Sequence, residues 1–162
     1  PDRYRRGLYT FRFRSVPYPV FQNFDAPTGE IACARRARSN TPLQALTTLN
    51  ETLFMECARA LALKILTNGS GNDDERIAYV VRSCLSREPQ PAELRVLQNF
   101  LGQQKERFHA EGVDPWSLLI DDEKAKEKIT AQLAKNQDAG DLAAWTALAR
   151  VVLNLDEMIT KE

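Results

Sequence analysis

The clearest helix signal in the chain lies in residues 41–67, which read TPLQALTTLNETLFMECARALALKILT. Thr41 and Gln44 form a capping box, and Pro42 takes the first helical position, where its missing N–H costs nothing. Apolar residues then recur every three or four positions, which predicts one helix with a single apolar face that ends at residues 68–71, Asn-Gly-Ser-Gly. The apolar face consists of Leu46, Leu49, Leu53, Phe54, Cys57, Leu61 and Ile65.

Further helix starts follow along the chain. Asn72 opens a second helix, Gln90 a third and Asp114 a fourth element, while Asp141 caps the last helix. Residues 121–137 favour a helix but are charged, so they indicate a solvated helix or a mobile connector. The last helix has a strong apolar stripe, which predicts that it docks in the core. That stripe consists of Trp145, Leu148, Val151, Val152, Leu155, Met158 and Ile159.

These patterns predict an all-α protein, an irregular bundle of four to six helices over residues 41–162. Strand is expected only as a short hairpin within the preceding segment, residues 1–40. A chain of 162 residues fits one structural domain, and its 43% hydrophobic and 27% charged residues are typical of a folded globular protein. No apolar run approaches the roughly 20 residues that a membrane span needs. Because the first residue is Pro1 and not Met, we expect the chain to be a fragment of a larger protein.

Residues 1–40, here called the arm, differ chemically from the rest of the chain. Eight Arg against three acidic residues give the arm a net charge of +5, which leaves −5 for the remainder of this neutral chain. Seven of the thirteen aromatic residues also lie in the arm, whereas disordered segments are poor in aromatics. We therefore expect an extended arm that packs on the helices, with its rings buried and its Arg side chains paired with carboxylates. The rings are those of Tyr4, Tyr9, Phe11, Phe13, Tyr18, Phe21 and Phe24.

A basic cluster of Arg35, Arg36 and Arg38 lies near the end of the arm. Packing against the acidic helices is the preferred interpretation of this cluster. Nucleic-acid binding, in which Arg contacts phosphate and rings stack on bases, is a disfavoured alternative. A carbohydrate platform built from the same rings is a further alternative.

Cysteine and histidine usage argues against several kinds of site. Cys33, Cys57 and Cys84 are widely spaced, and His109 is the only histidine, so neither a haem-attachment motif nor a zinc cluster is indicated. Cys57 and Cys84 lie on apolar stripes, where we expect them to be buried and protected from thiol reagents while Cys33 reacts first. A disulfide between these two residues remains a second possibility. We expect no cofactor and no metal in this fragment.

Acid–base chemistry is not indicated either. The adjacent acids Asp121 and Asp122, and likewise Asp156 and Glu157, point about 100° apart on a helix and do not form facing pairs. We interpret both pairs as solvated. A nucleophile elbow, G-x-S-x-G, is also absent from the sequence, so hydrolysis by a serine relay is not expected.

Several short motifs together resemble a known family. The ordered set covers nearly the whole chain except residues 112–140, and it is similar to the carboxy-terminal domain of large planctomycete proteins often described as cytochrome c domain-containing. The motifs include RRGLYT (5–10), VPYP (16–19), FDAP (24–27), SNTPLQAL (39–46), LSR (85–87) and ARVVLNLDE (149–157).

The resemblance implies a domain of unknown function, with no catalytic residues to carry over. It also implies an extracytoplasmic setting, periplasmic or secreted, with haem c possible elsewhere in the parent chain. Our leading hypothesis is a structural or interaction module that packs against upstream domains of its own chain. The alternative is part of an enzyme or electron-transfer protein, with a polysaccharide-related role as one option, whose active site is completed by upstream segments. The candidate interaction surface consists of Tyr9, Phe11, Phe13, Tyr18, Phe21, Phe24, Asp25, Arg35, Arg36 and Arg38.

Overall fold

Helices and connecting turns make up the structure, a computed structural model in which the described part of the chain holds no β-strand. The all-α prediction is therefore confirmed, and a short 3-10 turn, Gly7–Tyr9, stands where a hairpin was considered. The described residues are 4–13, 15–35, 37–68, 71–120, 123–133 and 137–160. The helices are α1 (Pro19–Asn23), α2 (Pro42–Asn50), α3 (Thr52–Asn68), α4 (Asp73–Leu85), α5 (Pro91–His109), α6 (Trp116–Leu119), α7 (Glu123–Thr130), α8 (Ala139–Leu153) and α9 (Asp156–Ile159).

Helix α8 is the centre of the bundle. It packs mainly against α3 and α5, with α2, α4, α6 and α9 also in contact. Trp145 is completely buried, and replacing such a side chain by Ala typically costs about 3–5 kcal/mol. The sequence predicted one buried stripe, but α8 is buried around nearly its whole circumference. Its buried residues are Gly140, Leu142, Ala143, Ala144, Trp145, Thr146, Leu148, Ala149 and Val152.

Small side chains allow the neighbouring helices to lie close to α8. Ala58 and Ala62 on α3 are fully buried, as are Ala143 and Ala144 on α8. Alanine has the highest helix propensity and a side chain of only one methyl group. The two helices can therefore pack closely at these positions without loss of helix stability. Larger residues from the other helices complete the core: Ile65, Leu66, Ile77, Val80, Val81, Cys84, Leu97, Leu101, Phe108, Leu119 and Ile129.

The single helix predicted over residues 41–67 is wrong, because the chain breaks at Glu51. Glu51 has extended backbone angles, φ −70° and ψ 132°, and it separates α2 from α3. Just before the break, Thr47, Thr48 and Asn50 each donate a side-chain hydrogen bond to a backbone carbonyl three or four residues earlier. Such bonds compete with the helical pattern and favour a bend. As a result Leu46, predicted to be buried, is 55% exposed.

The carboxy-terminal region also departs from its predicted boundaries. Asp138, not Asp141, is the N-cap of α8, and its Oδ1 accepts a hydrogen bond from the Asp141 backbone N–H at 2.8 Å. The helix ends at Leu153, and the chain turns before the short α9. Val151 and Leu155, assigned to the buried stripe, are therefore exposed. Helix α7 confirms a charged helix in the connector, and its Ile129 is buried as its spacing predicted.

None of the helices in the described ranges combines the length and apolar character needed to cross a membrane.

Arg87, in the turn between α4 and α5, connects that turn to the start of α5 and to α9. Its guanidinium donates to both carboxylate oxygens of Glu93, at 2.8 and 2.7 Å, and to both of Glu157 at 2.7 Å. Glu93 belongs to the first turn of α5, where it also accepts the Gln90 backbone N–H in a capping box, and Glu157 belongs to α9. Bidentate Arg–carboxylate pairs have well-defined geometry, so this fork fixes α9 against the start of α5.

We predict that these hydrogen bonds of Arg87 make the free energy of unfolding depend on pH in the acidic range. The hydrogen bonds from Arg87 lower the pKa of Glu93 from 4.5 to about 2, and they lower the pKa of Glu157 as well. A carboxylate whose pKa is depressed by folding stabilises the protein above its unfolded pKa, and this contribution is lost as the pH falls from about 4.5 towards 2. Urea unfolding at pH 6 and pH 3 should therefore show a smaller acid-induced loss in Arg87→Met than in the wild type.

Arg82→Met is the matched control for this measurement. Among the described residues, Arg82 pairs with the exposed side chain of Glu88, at 3.0 Å, and exposed pairs contribute little. Its acid profile should follow the wild type. If Arg87→Met and the wild type lose the same free energy of unfolding between pH 6 and pH 3, the hydrogen bonds of Arg87 contribute no pH-dependent stability.

Candidate interaction surface

Side-chain hydrogen bonds tie the arm to α2, to α3 and to Glu51 between them. The Tyr4 hydroxyl donates to Glu56 at 2.7 Å, and the Tyr18 hydroxyl donates to Glu51 at 2.9 Å. The latter bond is also the main reason that the pKa of Tyr18 is raised. At the end of α1, the amide of Asn23 donates to Thr47 at 2.9 Å. These bonds hold both ends of the arm segment that runs from Tyr4 to Asn23.

An aspartate turn at Asp25 brings this part of the arm back to Ser39, close to the start of α2. Asp25 adopts a left-handed conformation, with φ 55°, which Asp tolerates better than most residues. Its carboxylate accepts the Ser39 backbone N–H at 2.8 Å and the Ser39 hydroxyl at 2.7 Å. Beside this turn, the Phe24 ring lies 6.1 Å from the Phe54 ring of α3. Asp25 therefore closes a loop of the arm at the entrance to α2.

Gln44 connects this loop to the helices. Gln44 is polar, yet its side chain is almost completely buried. The amide oxygen accepts the Thr41 backbone N–H at 3.1 Å, while the amide nitrogen donates to the Asn23 carbonyl at 2.8 Å and to the Ser39 hydroxyl at 3.2 Å. The capping box predicted from the sequence is confirmed. The sequence did not predict that the same side chain anchors the arm.

The expected burial of the arm's rings is wrong for five of the seven. Phe21 and Phe24 are partly buried, whereas Tyr4, Tyr9, Phe11, Phe13 and Tyr18 are all exposed. Phe11 and Phe13 instead pack edge to face on each other, with ring centres 4.8 Å apart. We call the exposed apolar residues of this segment the arm surface: Tyr4, Leu8, Tyr9, Phe11, Phe13, Val16 and Tyr18.

The basic cluster lies beside the Asp25 turn and apart from the core. Arg35 and Arg38 are exposed, and Arg36 lies outside the described residues. Arg35 and Arg38 line a half-open cleft of about 450 Å³ between the arm and the end of α9. The remaining lining residues are Phe24, Asp25, Ala37, Ser39, Gln44, Ile159 and Thr160. The structure thus brings Phe24, Asp25 and two of the three arginines together and leaves Phe11 and Phe13 outside the cleft lining.

The cysteines only partly follow the sequence analysis. Cys84 is buried and Cys33 exposed, as predicted, but Cys57 is exposed, so the expected burial of Cys57 is wrong. Burial of its sulfur atom still raises the Cys57 pKa, with the Glu56 charge adding to the effect. All three are free thiols, and the pairing of Cys57 with Cys84 is not formed.

The adjacent acids do not form catalytic pairs where the structure describes them. Asp156 accepts the hydroxyl of Thr160 at 2.8 Å and also bonds to Asn40, while Glu157 faces Arg87. Their different partners agree with the prediction that neighbouring acids point apart. Asp121 and Asp122 lie outside the described residues.

Comparison with known proteins gives one family. A model described as PSD1, "Protein of unknown function (DUF1553)", matches residues 1–101, which is more than half of the chain. The matched region includes the arm, α2, α3, α4 and the first part of α5. Searches of the curated proteins and of the solved structures gave no match.

We predict that Gln44 is a principal anchor of the arm. Gln44→Ala leaves the Asn23 carbonyl and the Thr41 N–H without this partner, and an unsatisfied buried polar group costs about 1–3 kcal/mol. Urea unfolding should show a loss of that size. Gln22→Ala, at an exposed position of α1, is the control and should leave the midpoint unchanged. If both variants unfold like the wild type, Gln44 does not anchor the arm.

Proposed function

We propose that this chain, which belongs to the PSD1 family of unknown function (DUF1553), is a structural module that docks onto a neighbouring protein domain through its arm. The observation that carries the proposal is the exposure of large apolar side chains in an anchored segment. Leu8 is 86% exposed and Phe11 76%. Exposed apolar residues that lie together, and not singly, are typical of interaction sites.

The composition of the arm fits a protein interface. Aromatic residues and Arg are enriched at interfaces and account for most binding hot spots, because they combine a large contact area with hydrogen-bonding ends. The arm contains seven aromatic residues and eight Arg. Its net charge of +5 favours a partner that surrounds an apolar patch with acidic residues.

We assign the partner to upstream domains of the same polypeptide. A domain joined directly to the arm acts at a high effective concentration, so an exposed surface of moderate size is sufficient for stable docking. Anchoring through Tyr4, Tyr18 and Gln44 holds the arm surface in place before the partner binds, which lowers the entropy cost of association. The extracytoplasmic setting and an upstream haem c domain belong to the same proposal and rest on the resemblance alone.

A second candidate function rests on the cleft beside the arm. Asp25, Arg35, Arg38 and Ser39 place carboxylate, guanidinium and hydroxyl groups near the Phe24 ring. Polar groups next to an aromatic face suit a carbohydrate, and such a cleft would form part of an enzyme or electron-transfer site completed by another domain. This candidate differs from docking because it requires the cleft and not Phe11 and Phe13.

The test uses a longer product of the same gene, with a specific protease site inserted before Pro1. After cleavage, we expect the upstream part and the 162-residue chain to stay associated in gel filtration. Phe11→Ser with Phe13→Ser should weaken the association at least tenfold in a titration. Both rings are exposed, so the urea midpoint of the isolated chain should not change.

Val96→Ser is the matched control, since Val96 is 66% exposed on α5, outside the arm. It should leave the association intact. Dissociation of the wild-type parts after cleavage, or equal binding by the double variant, contradicts the docking proposal. Retention of the wild-type chain on a polysaccharide or DNA column, lost with Arg35→Ala and Arg38→Ala but not with the ring substitutions, would favour the cleft as the functional site.

A further inference from the structure

His109, the only histidine, lies at the end of α5 and faces the start of α8. Its Nε2 atom is 3.1 Å from Oδ2 of Asp138, the N-cap residue of α8. The carboxylate of Asp141, one turn into the helix, completes a group of three side chains whose ligating atoms all lie within 4.8 Å of one another. The two acids come from a region nearly thirty residues after His109, so sequence spacing did not reveal this group.

The hydrogen bond at the other ring nitrogen fixes the tautomer of His109. Nδ1 lies 2.7 Å from the Lys105 backbone carbonyl, and a carbonyl oxygen can only accept a hydrogen bond. Nδ1 therefore carries a proton, and in the neutral ring the lone pair of Nε2 points towards Asp138. A lone pair directed at a carboxylate is repulsive unless a positive species lies between them. A histidine that donates one N–H to a backbone carbonyl and presents the other nitrogen is the usual arrangement in metal sites.

The separation of the facing atoms suits a shared ion. Two ligands bound at about 2.0–2.1 Å to one tetrahedral zinc ion lie roughly 3.3 Å apart, close to the distance between Nε2 and Oδ2. Asp138 caps α8 by accepting the Asp141 N–H with its other carboxylate oxygen, Oδ1, at 2.8 Å.

Gly140 provides the space that the histidine ring occupies. A Cβ atom at this position would lie 3.0 Å from both Cε1 and Nε2 of His109 and 3.2 Å from Oδ1 of Asp138. Any larger residue would push the ring away from the two carboxylates. The small residue between Asp138 and Asp141 thus keeps the three groups together.

We propose that His109, Asp138 and Asp141 bind a divalent transition-metal ion of the zinc class, with water completing the coordination. One nitrogen and two carboxylate oxygens are suitable ligands for such an ion, and three protein ligands leave a position open. The ion would join the end of α5 to the beginning of α8. The proposal replaces the expectation of no metal, which considered His109 only with the cysteines.

A proton is the competing occupant of Nε2. The hydrogen bond to the Lys105 carbonyl is the main cause that raises the pKa of His109, and Asp138 and Asp141 add to it. The start of α8 also carries the positive end of the helix dipole, which disfavours a cation, while the two carboxylates offset it.

The experiment titrates Zn²⁺ into the full chain carrying Cys33→Ser and Cys57→Ser, which removes the two exposed thiols. Because the chain has one histidine, a single set of ¹⁵N imidazole signals reports on His109 alone. We expect the Nε2 signal to shift on Zn²⁺ addition at pH 7.5 and calorimetry to show one site per chain. His109→Gln should weaken binding by at least tenfold.

Asp138→Asn is the most informative variant, since Asn caps a helix as well as Asp and only the charge is lost. It should keep the circular dichroism spectrum and urea midpoint but bind Zn²⁺ at least tenfold more weakly. Glu30→Gln, an exposed acid of the arm, is the control and should bind like the parent. An Nε2 signal that does not respond to millimolar Zn²⁺, or unchanged affinity in His109→Gln or Asp138→Asn, overturns the proposal and leaves an ordinary His–Asp ion pair.

Discussion

The burial of α8 on nearly all sides is the constraint on which the rest of the structure depends. A helix in this position needs a neighbour for each face, and α3 and α5 supply the two largest contacts. Ala143 and Ala144 allow those neighbours to approach closely, while Trp145 fills the space between them. The stability of a domain is only about 5–15 kcal/mol, so the loss of one such buried contact is a large fraction of the total.

Once α8 is covered, the terminal segments have only its ends and the outer helices to bind. Arg150 of α8 donates to the carbonyl of Leu49 at 2.6 Å, and Asn154 accepts the hydroxyl of Thr48, so the end of α8 holds α2. Helix α2 in turn holds the arm through Gln44 and Thr47. The middle of the arm has no place in the core, and its rings remain exposed. The exposure of these rings is the observation on which the proposed docking function rests.

Local signals in the sequence predicted local structure well. The capping box at Thr41 and the helix start at Gln90 are both formed, because each depends on residues within one helical turn. The break at Glu51 was missed because the apolar spacing continues across it. It becomes evident only from the side-chain to backbone hydrogen bonds of the preceding polar residues. Exposure of Phe11 and the meeting of His109 with Asp138 were missed for another reason: both depend on which surfaces the folded helices leave open, and helical periodicity in one segment carries no information about that.

Native-state hydrogen exchange tests the central position of α8 most directly. Amides of a core element exchange only by global unfolding, whereas peripheral elements open locally at lower cost. The amides of Trp145 to Ala149 should therefore be among the slowest in the chain, with a free energy of exchange equal to that of global unfolding measured in urea. Those of α2 and α7 should exchange faster. If the α8 amides exchange as readily as those of α7, the bundle is not organised around α8.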